Sequence, residues 1–359
     1  MRYRELLLAA TILSGMASAA HAMDGVVASI KPVHSLVAAV MGNTGRPKLI
    51  VDGAGSPHTY SLKPSQARML EDAKLVFWIG HDLEAFLEKP LETLSGGAQV
   101  VALSKADGMK LLELREGGTF EAHDHGHEGH GDHDHDHDHE ADHERAEHAG
   151  REHEEGHAHE HEAHDDHAEK HADHDHDGED HGGHHHGDEV DMHVWLDPQN
   201  AAVMAHAIAE ALAKADPHNA ATYMANADAL EVSLSGLVDE IAATVAPVKD
   251  QPFIVFHDAY HYFENRFGLH AAGSITVSPE VMPGAERISE VRAKIAELGS
   301  VCVFAEPQFE PKILSVLTEG TDIRTGALDP LGADLPAGPD LYPTLMRDMA
   351  REFRHCLGG

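Results

Sequence analysis

Apolar residues recur along this chain with two alternating periods. Four short runs, VVASI from Val26, KLIVD from Lys48, LVFWIG from Leu75 and QVVALS from Gln99, are too short for helices and rich in β-branched and aromatic side chains. They predict strands. Between them, PVHSLVAAVMG, PSQARMLEDA and DLEAFLEKPLETL place apolar residues at helical spacing. Alternation of this kind predicts a parallel sheet with helices on both faces and right-handed crossovers. It restarts after Pro252, where FIVF, HAAGSIT, VCVFAE and IRTGALD read as strands. YHYFENRFG, ERISEVRAKIAELG, PKILSVLTEG and LYPTLMRDMAREFRHCL read as the helices around them. Between the two sets, Leu230, Leu234, Leu237, Val238 and Ile241 fall on a period near 3.6 in a stretch with no internal proline. A helix there would be about 40 Å long, enough to span two lobes. The expected fold is α/β: two lobes, 23–216 and 247–359, each with a mainly parallel sheet flanked by helices. One long rigid helix over 217–246 joins them, so small lobe movements are expected, with local loop movement around His193 and the insertion described next.

The pattern stops at Gly117-Gly118. Residues 121–190 hold almost no aliphatic side chains and cannot bury enough apolar area to offset chain entropy, so disorder is expected. Order resumes at MHVWLDPQNAAVMAHAIAEALAKADP, with Pro198 suited to a helix's first turn. The charged segment is therefore an insertion in the first lobe, tolerated because loop-closure cost grows only logarithmically with length. It also dominates the charge: 27 of the acidic residues lie in 121–191 against three basic ones (Arg145, Arg151, Lys170), a net of −24 out of −36. The remainder is mildly acidic. Neither part has the basic stripe that nucleic-acid binding needs.

The first residues, MRYRELLLAATILSGMASAAHA, have a positive start, an apolar stretch from Leu6 to Met16 and a small-x-small site at Ala20-His21-Ala22. This reads as a cleavable secretion signal over 1–22, with the mature chain starting at Met23; an uncleaved anchor is the alternative, for which the stretch is short. Export changes how the two cysteines read. Cys302 and Cys356 are not in CxxC spacing, and in an oxidising compartment a pair of this kind forms a disulfide. Two buried free thiols are the alternative.

Ligands of open α/β sheets bind beyond the carboxyl ends of the strands. Four metal-capable side chains are expected there: His58 after KLIVD, His193 just before a helix, His257 ending FIVFH, and Asp329 ending the last strand. Two come from each lobe, which would put a site in the cleft between them. A histidine at a strand end is most often a hydrogen-bonded structural residue, so spacing alone leaves the question open. The donor set is informative: imidazoles plus one carboxylate suit tetrahedral Zn²⁺, whereas an all-oxygen set would suit Mg²⁺, Ca²⁺ or Mn²⁺.

GAGSPHTYSLKPSQ, MHVWLDP, FIVFHDAYHYFENRFGL, VCVFAEPQF and LDPLG, in this order, resemble the ZnuA family of periplasmic zinc-binding receptors of bacterial ABC importers. The resemblance covers nearly the whole mature chain and includes an acidic histidine-rich insertion before the second histidine and a C-terminal cysteine pair. It implies that the zinc histidines are His58, His193 and His257. Related manganese receptors carry a carboxylate where His257 stands, which favours zinc here. The position before the first histidine, a carboxylate in some members, is Pro57. That leaves Asp329 or water as fourth ligand. His261, one turn after His257, and His81, after FWIG, read as neighbours of the site rather than ligands. The implied partners are a membrane permease and its ATPase, with a periplasmic zinc chaperone as a further candidate, and the implied receptor is a periplasmic monomer.

Two other classes compete. Three histidines with an open position also describe a catalytic zinc, but none of His58, His193 and His257 lies in an HExxH, a pattern that occurs only within the histidine-rich insertion, and Glu306 is the only nameable base near them. A periplasmic metal buffer or adhesin would share the same site. No P-loop GxxxxGK[ST] or GxSxG is present, so the chain has no motif for ATP hydrolysis.

The insertion holds 23 of the 34 histidines. Its start, with His123, His125, His127, His130, His133, His135, His137 and His139, offers overlapping sets of metal ligands without fixed geometry. Each set must be ordered on binding, so its affinity should be below that of a rigid site. Tethering beside such a site would keep metal at a local concentration on the order of mM. The run thus reads as an auxiliary capture or sensing element, with a solvated low-complexity tail as the alternative. Deleting residues 123–186 should lower the number of metal ions bound in a calorimetric titration and leave one tight site; loss of the tight site as well would refute this division.

Overall fold

Eight short strands build two parallel sheets with the same internal order. β1 (Val26–Ala28), β2 (Lys48–Leu49), β3 (Leu75–Trp78) and β4 (Gln99–Ala102) form the first, in the order β2-β1-β3-β4. β5 (Phe253–His257), β6 (Ala271–Thr276), β7 (Cys302–Ala305) and β8 (Arg324–Ala327) form the second, in the order β6-β5-β7-β8. The structure, a computed structural model, describes residues 22–115, 120, 190–276, 279, 283–299, 301–309, 312–321 and 323–358. The secretion signal expected over 1–22, apart from Ala22, and nearly all of the histidine-rich insertion, including His123 to His139, lie outside these residues.

Strand content follows the pattern of burial. β1 and β5, central in their sheets, are buried along their whole length, as expected for strands covered on both faces. β2 is shorter than KLIVD suggested because it is an edge strand with Lys48 exposed. The ladder nonetheless continues, with Ile50 N donating to Ala28 O at 3.0 Å and Val51 N to Ser29 O at 2.8 Å. The helices fall where the periodicity places them: α1 (Lys31–Met41), α2 (Pro64–Glu71), α3 (Glu88–Leu94), α4 (Pro198–Ala215), α5 (Ala220–Val245), α6 (His261–Phe267), α7 (Ala285–Leu298), α8 (Lys312–Thr318) and α9 (Leu341–Gly358). DLEAFLEKPLETL splits into a 3₁₀ turn at Ala85–Leu87 followed by α3. Pro90 thereby sits in a first turn, where its missing N–H costs no helical bond. Asp197 caps α4 by accepting from Gln199 N at 2.9 Å.

The long helix is α5, entered through a 3₁₀ turn at Pro217–Asn219. It buries Tyr223, Ala227, Leu234, Leu237, Ile241 and Val245, with Leu230 and Val238 half-buried. It packs against α1 and α4 of the first lobe and α9 at the end of the chain. One apolar core runs from β1 and β3 through α5 and α9 to the inner face of the second sheet, where Phe253, Val255 and Phe304 lie. The outer face of that sheet forms a separate core of Ile254, Val303, Ile275 and Val291. Each such side chain contributes about 1.5–3 kcal/mol, so the lobes share apolar burial as well as a connecting helix. Among the described residues no helix is long and apolar enough to cross a membrane.

Cys302 and Cys356 are bonded, with Cα atoms 6.0 Å apart and 54 residues between them. The bridge ties α9 to β7 and is worth about 2–4 kcal/mol by loop closure.

The turn after β3 is held by a buried carboxyl. Glu84 accepts from Ile79 N at 2.7 Å and Gly80 N at 3.2 Å. Burial pushes its pKa up from 4.5 to about 7. Between these values the unfolded chain releases this proton while the folded protein keeps it, so stability falls as pH rises from 4.5 to 7 and the loss is complete above 7. Glu84→Gln cannot ionise. Its stability relative to the native protein, measured by urea unfolding, should therefore rise between pH 5 and pH 8; a pH-independent difference would mean that Glu84 titrates as an exposed carboxylate does.

Candidate metal centre

Three segments far apart in sequence bring their histidines together. His58 lies in the loop after β2. That loop is anchored on α2, where Gln66 donates to Ile50 O at 2.6 Å and to Tyr60 Oη at 2.8 Å, and Tyr60 packs on Phe86. His193 stands immediately before the 3₁₀ turn Val194–Leu196. Trp195 in that turn is fully buried and donates from Nε1 to Pro330 O at 2.8 Å, while Tyr342 Oη donates to Trp195 O at 2.7 Å. His257 is the last residue of β5. Alternation along the strand puts it on the same face as Phe253 and Val255, toward the shared core.

The ring nitrogens converge. His193 Nε2 is 3.3 Å from His58 Nε2 and 3.3 Å from His257 Nε2. One ligand atom from each of the three residues fits within a 4.8 Å group, the only such group of histidine, cysteine or carboxylate among the described residues. His193 and His257 are 8% and 4% exposed, and His58 is partly exposed. Ser56, Pro57, Trp195, Gln308, Phe309, Pro330 and Leu331 complete the wall around the rings.

Two carboxylates fix the rings from behind. His193 Nδ1 is 2.7 Å from Asp191 Oδ1, and His257 Nδ1 is 2.6 Å from Glu306 Oε1. A carboxylate only accepts, so each Nδ1 carries a proton, and when such a ring is neutral its Nε2 lone pair faces its neighbours. Converging lone pairs repel unless a cation or a proton lies between them. Tetrahedral Zn²⁺ with Zn–N of about 2.0–2.1 Å requires nitrogens about 3.3–3.4 Å apart, and the two distances here agree. The rings therefore fit a zinc ion, in the carboxylate–histidine–metal arrangement that orients such ligands. Burial and the neighbouring charges of His193 and His257 hold His58 well below the ordinary imidazole range. Burial also acts to lower His257, but the carboxylates of Glu306, Asp258 and Asp191 outweigh it and raise this ring.

The other expected site residues lie elsewhere. Asp329 is not brought into the histidine group, because its carboxylate caps its own turn. It accepts from Leu331 N at 3.0 Å, Gly332 N at 2.9 Å, Ala333 N at 2.5 Å and Gln308 Nε2 at 2.8 Å. His81 is exposed beside Glu88, and His261 opens α6 outside the group. Glu306, considered as a base, is committed to His257. The sequence reading missed Asp191, although its D-x-H spacing to His193 was available as a signal. It also missed the role of Arg115, which binds Asp258 and Glu264.

The chain was compared with known proteins. Residues 26–356 match the family model described as ZnuA, zinc-uptake complex component A, periplasmic. The high-affinity zinc uptake system protein ZnuA of Brucella abortus (strain 2308) is 52% identical over 354 residues, covering 98% of each chain. A crystal structure of ZnuA superposes with a TM-score of 0.67 at 23% identity, covering 94% of this chain and 99% of that one. A ZnuA deletion mutant with zinc bound superposes with a TM-score of 0.62 at 21% identity, over 92% and 97% of the two chains. The chain belongs to the ZnuA family of periplasmic zinc-binding receptors. It is a component of zinc uptake and a solute-binding protein, not an enzyme.

Asp191→Asn and Glu306→Gln keep the shape of each side chain and remove the charge behind the ring. Each should weaken zinc binding by about 10- to 100-fold in competition with a chromophoric chelator; native affinity in both would reduce these carboxylates to structural roles.

Proposed function

We propose that this chain captures Zn²⁺ in the cleft between its two lobes, on Nε2 of His58, His193 and His257, and delivers it to the permease and ATPase of a zinc ABC importer. The observation that carries this reading is the convergence of three ring nitrogens, with His193 Nε2 3.3 Å from each of the other two, and two of the rings backed by buried carboxylates. An all-nitrogen set suits Zn²⁺, whereas manganese favours carboxylate and water oxygens. With Asp329 occupied by its own turn, a water molecule takes the fourth position. The reading divides the chain into a secretion signal at 1–22, a first lobe at 23–216, the linking helix at 217–246 and a second lobe at 247–359. The signal sends the protein to the periplasm.

The histidine-rich insertion serves as an auxiliary element that captures or senses zinc. Its alternating histidines and carboxylates offer many overlapping ligand sets in sequence, each of which must be ordered on binding, so we expect it to hold metal more weakly than the three rings do and to surrender it to them.

Calorimetric titration of the native protein and His58→Ala with Zn²⁺ tests the assignment. The variant should lose the tightest phase and keep the weaker, multiple-site phase of the insertion. Unchanged tight binding would remove His58 from the site.

A further inference from the structure

A strap crosses from the first lobe to the second beside the histidines. It begins at Lys110, whose N donates to Asn200 Oδ1 at 2.9 Å and whose carbonyl accepts from Asn200 Nδ2 at 2.9 Å, on α4. Lys110 Nζ reaches Asn265 Oδ1 on α6 at 2.6 Å. The returning strand, residues 190–193, pairs with it: Glu113 and Val190 form an antiparallel bridge, and Asp191 N donates to Leu112 O at 2.9 Å. Tyr262 of α6 rivets both strands, accepting from Leu112 N at 3.0 Å and donating to Asp191 O at 2.7 Å. The returning strand carries Asp191 and His193 themselves.

The strap ends in an ion cluster against the second lobe. Arg115 binds both oxygens of Asp258, the residue after His257, and both oxygens of Glu264, at 2.8 Å from Nη1 and 2.9 Å from Nη2. The Arg115, Asp258 and Glu264 side chains are 18%, 10% and 2% exposed. Phe120 covers the guanidinium at 4.3 Å. Glu264 also accepts from Ala271 N at 2.7 Å. A planar guanidinium that grips two carboxylates with paired bonds fixes orientation in a way that a lysine ammonium cannot. The cluster therefore locks the strap bearing His193 to the residue beside His257.

We infer that Arg115 is a positioning residue that sets the spacing between His193 and His257 and thereby the rate at which zinc leaves. This rests on the proposed three-histidine site and adds a determinant that touches no ligand ring. Removing Arg115 alone leaves two buried carboxylates unpaired, which is itself strongly destabilising. The decisive variant is therefore Arg115→Met/Asp258→Asn/Glu264→Gln, which removes the lock without stranding charge.

The experiment is stopped-flow release of Zn²⁺ into excess chelator, with melting temperatures and the visible spectrum of the Co²⁺-loaded protein recorded alongside. Arg115→Met and the triple variant should release zinc about 10- to 100-fold faster, with an altered Co²⁺ spectrum, and Arg115→Lys should be intermediate. If Arg115→Met does not fold, the triple variant decides. Cys302→Ser/Cys356→Ser is the control for stability alone and should keep the native release rate. A triple variant with native release rate and native Co²⁺ spectrum overturns the inference, as does a disulfide control that accelerates release as much. His58→Ala, run in parallel, separates the two readings. If it retains tight binding, the site itself is wrong; if it loses tight binding while the Arg115 variants match the native protein, only the positioning role is wrong.

Discussion

Three converging imidazole nitrogens, with that of His193 3.3 Å from each of the other two, are a costly arrangement, and much of the surrounding structure serves to maintain it. Rings with Nε2 atoms aimed at one another would rotate away if they could. They are prevented by buried groups that act on the far side of the rings: Asp191 behind His193 and Glu306 behind His257. Each carboxylate is almost fully buried. A buried charge is tolerated only when its hydrogen bonds are made, so the carboxylates need the ring N–H groups as much as the rings need them. A cation of the right radius relieves the repulsion at the centre. On the proposed site, selectivity follows from the spacing of the three rings.

That spacing needs lobes that do not drift. The two sheets are joined by α5, by an apolar core common to both and by polar ties at several points. Lys31 of α1 donates to Ala333 O at 2.8 Å and Leu335 O at 2.6 Å, and Arg266 of α6 grips Asp197 with two bonds of 2.7 and 2.6 Å. Opening such an interface as a wide hinge would expose apolar surface and strand several buried polar groups together. Small local changes cost much less. This is the physical ground for expecting a receptor that adjusts loops rather than swinging lobes.

The alternation of short apolar runs with helical periods made both sheets and the long helix legible, because that signal reports burial directly. The histidines that converge were legible as strand-end residues and through the family resemblance, and the structure groups the same three rings. Three things were not. The KLIVD strand contracted to Lys48–Leu49 because an edge strand's length depends on its neighbour. Asp329 kept its place at the end of the last strand but turned its oxygens onto its own backbone, a choice decided by local turn geometry. Asp191, Glu306 and Arg115 act through partners distant in sequence, and no periodicity marks such pairs. Residues 121–189, which carry the most conspicuous composition, lie outside what the structure describes.

The three rings are not held equally, and the difference has a direction. His257 is part of a central strand, buried, and bonded to Glu306. His193 sits on a turn closed by Asp191, Trp195 and Tyr342. His58 lies on a loop and has no carboxylate behind its ring among the described residues; its own backbone N–H is tied only to Ser56 Oγ, at 3.3 Å. Burial beside two other imidazoles also keeps it neutral. A receptor must hold its ion and also give it up. On the proposed three-histidine site, two fixed ligands with one more lightly tethered reconcile these needs, because the pair preserves the geometry while the third changes the number of bonds to the ion at small cost.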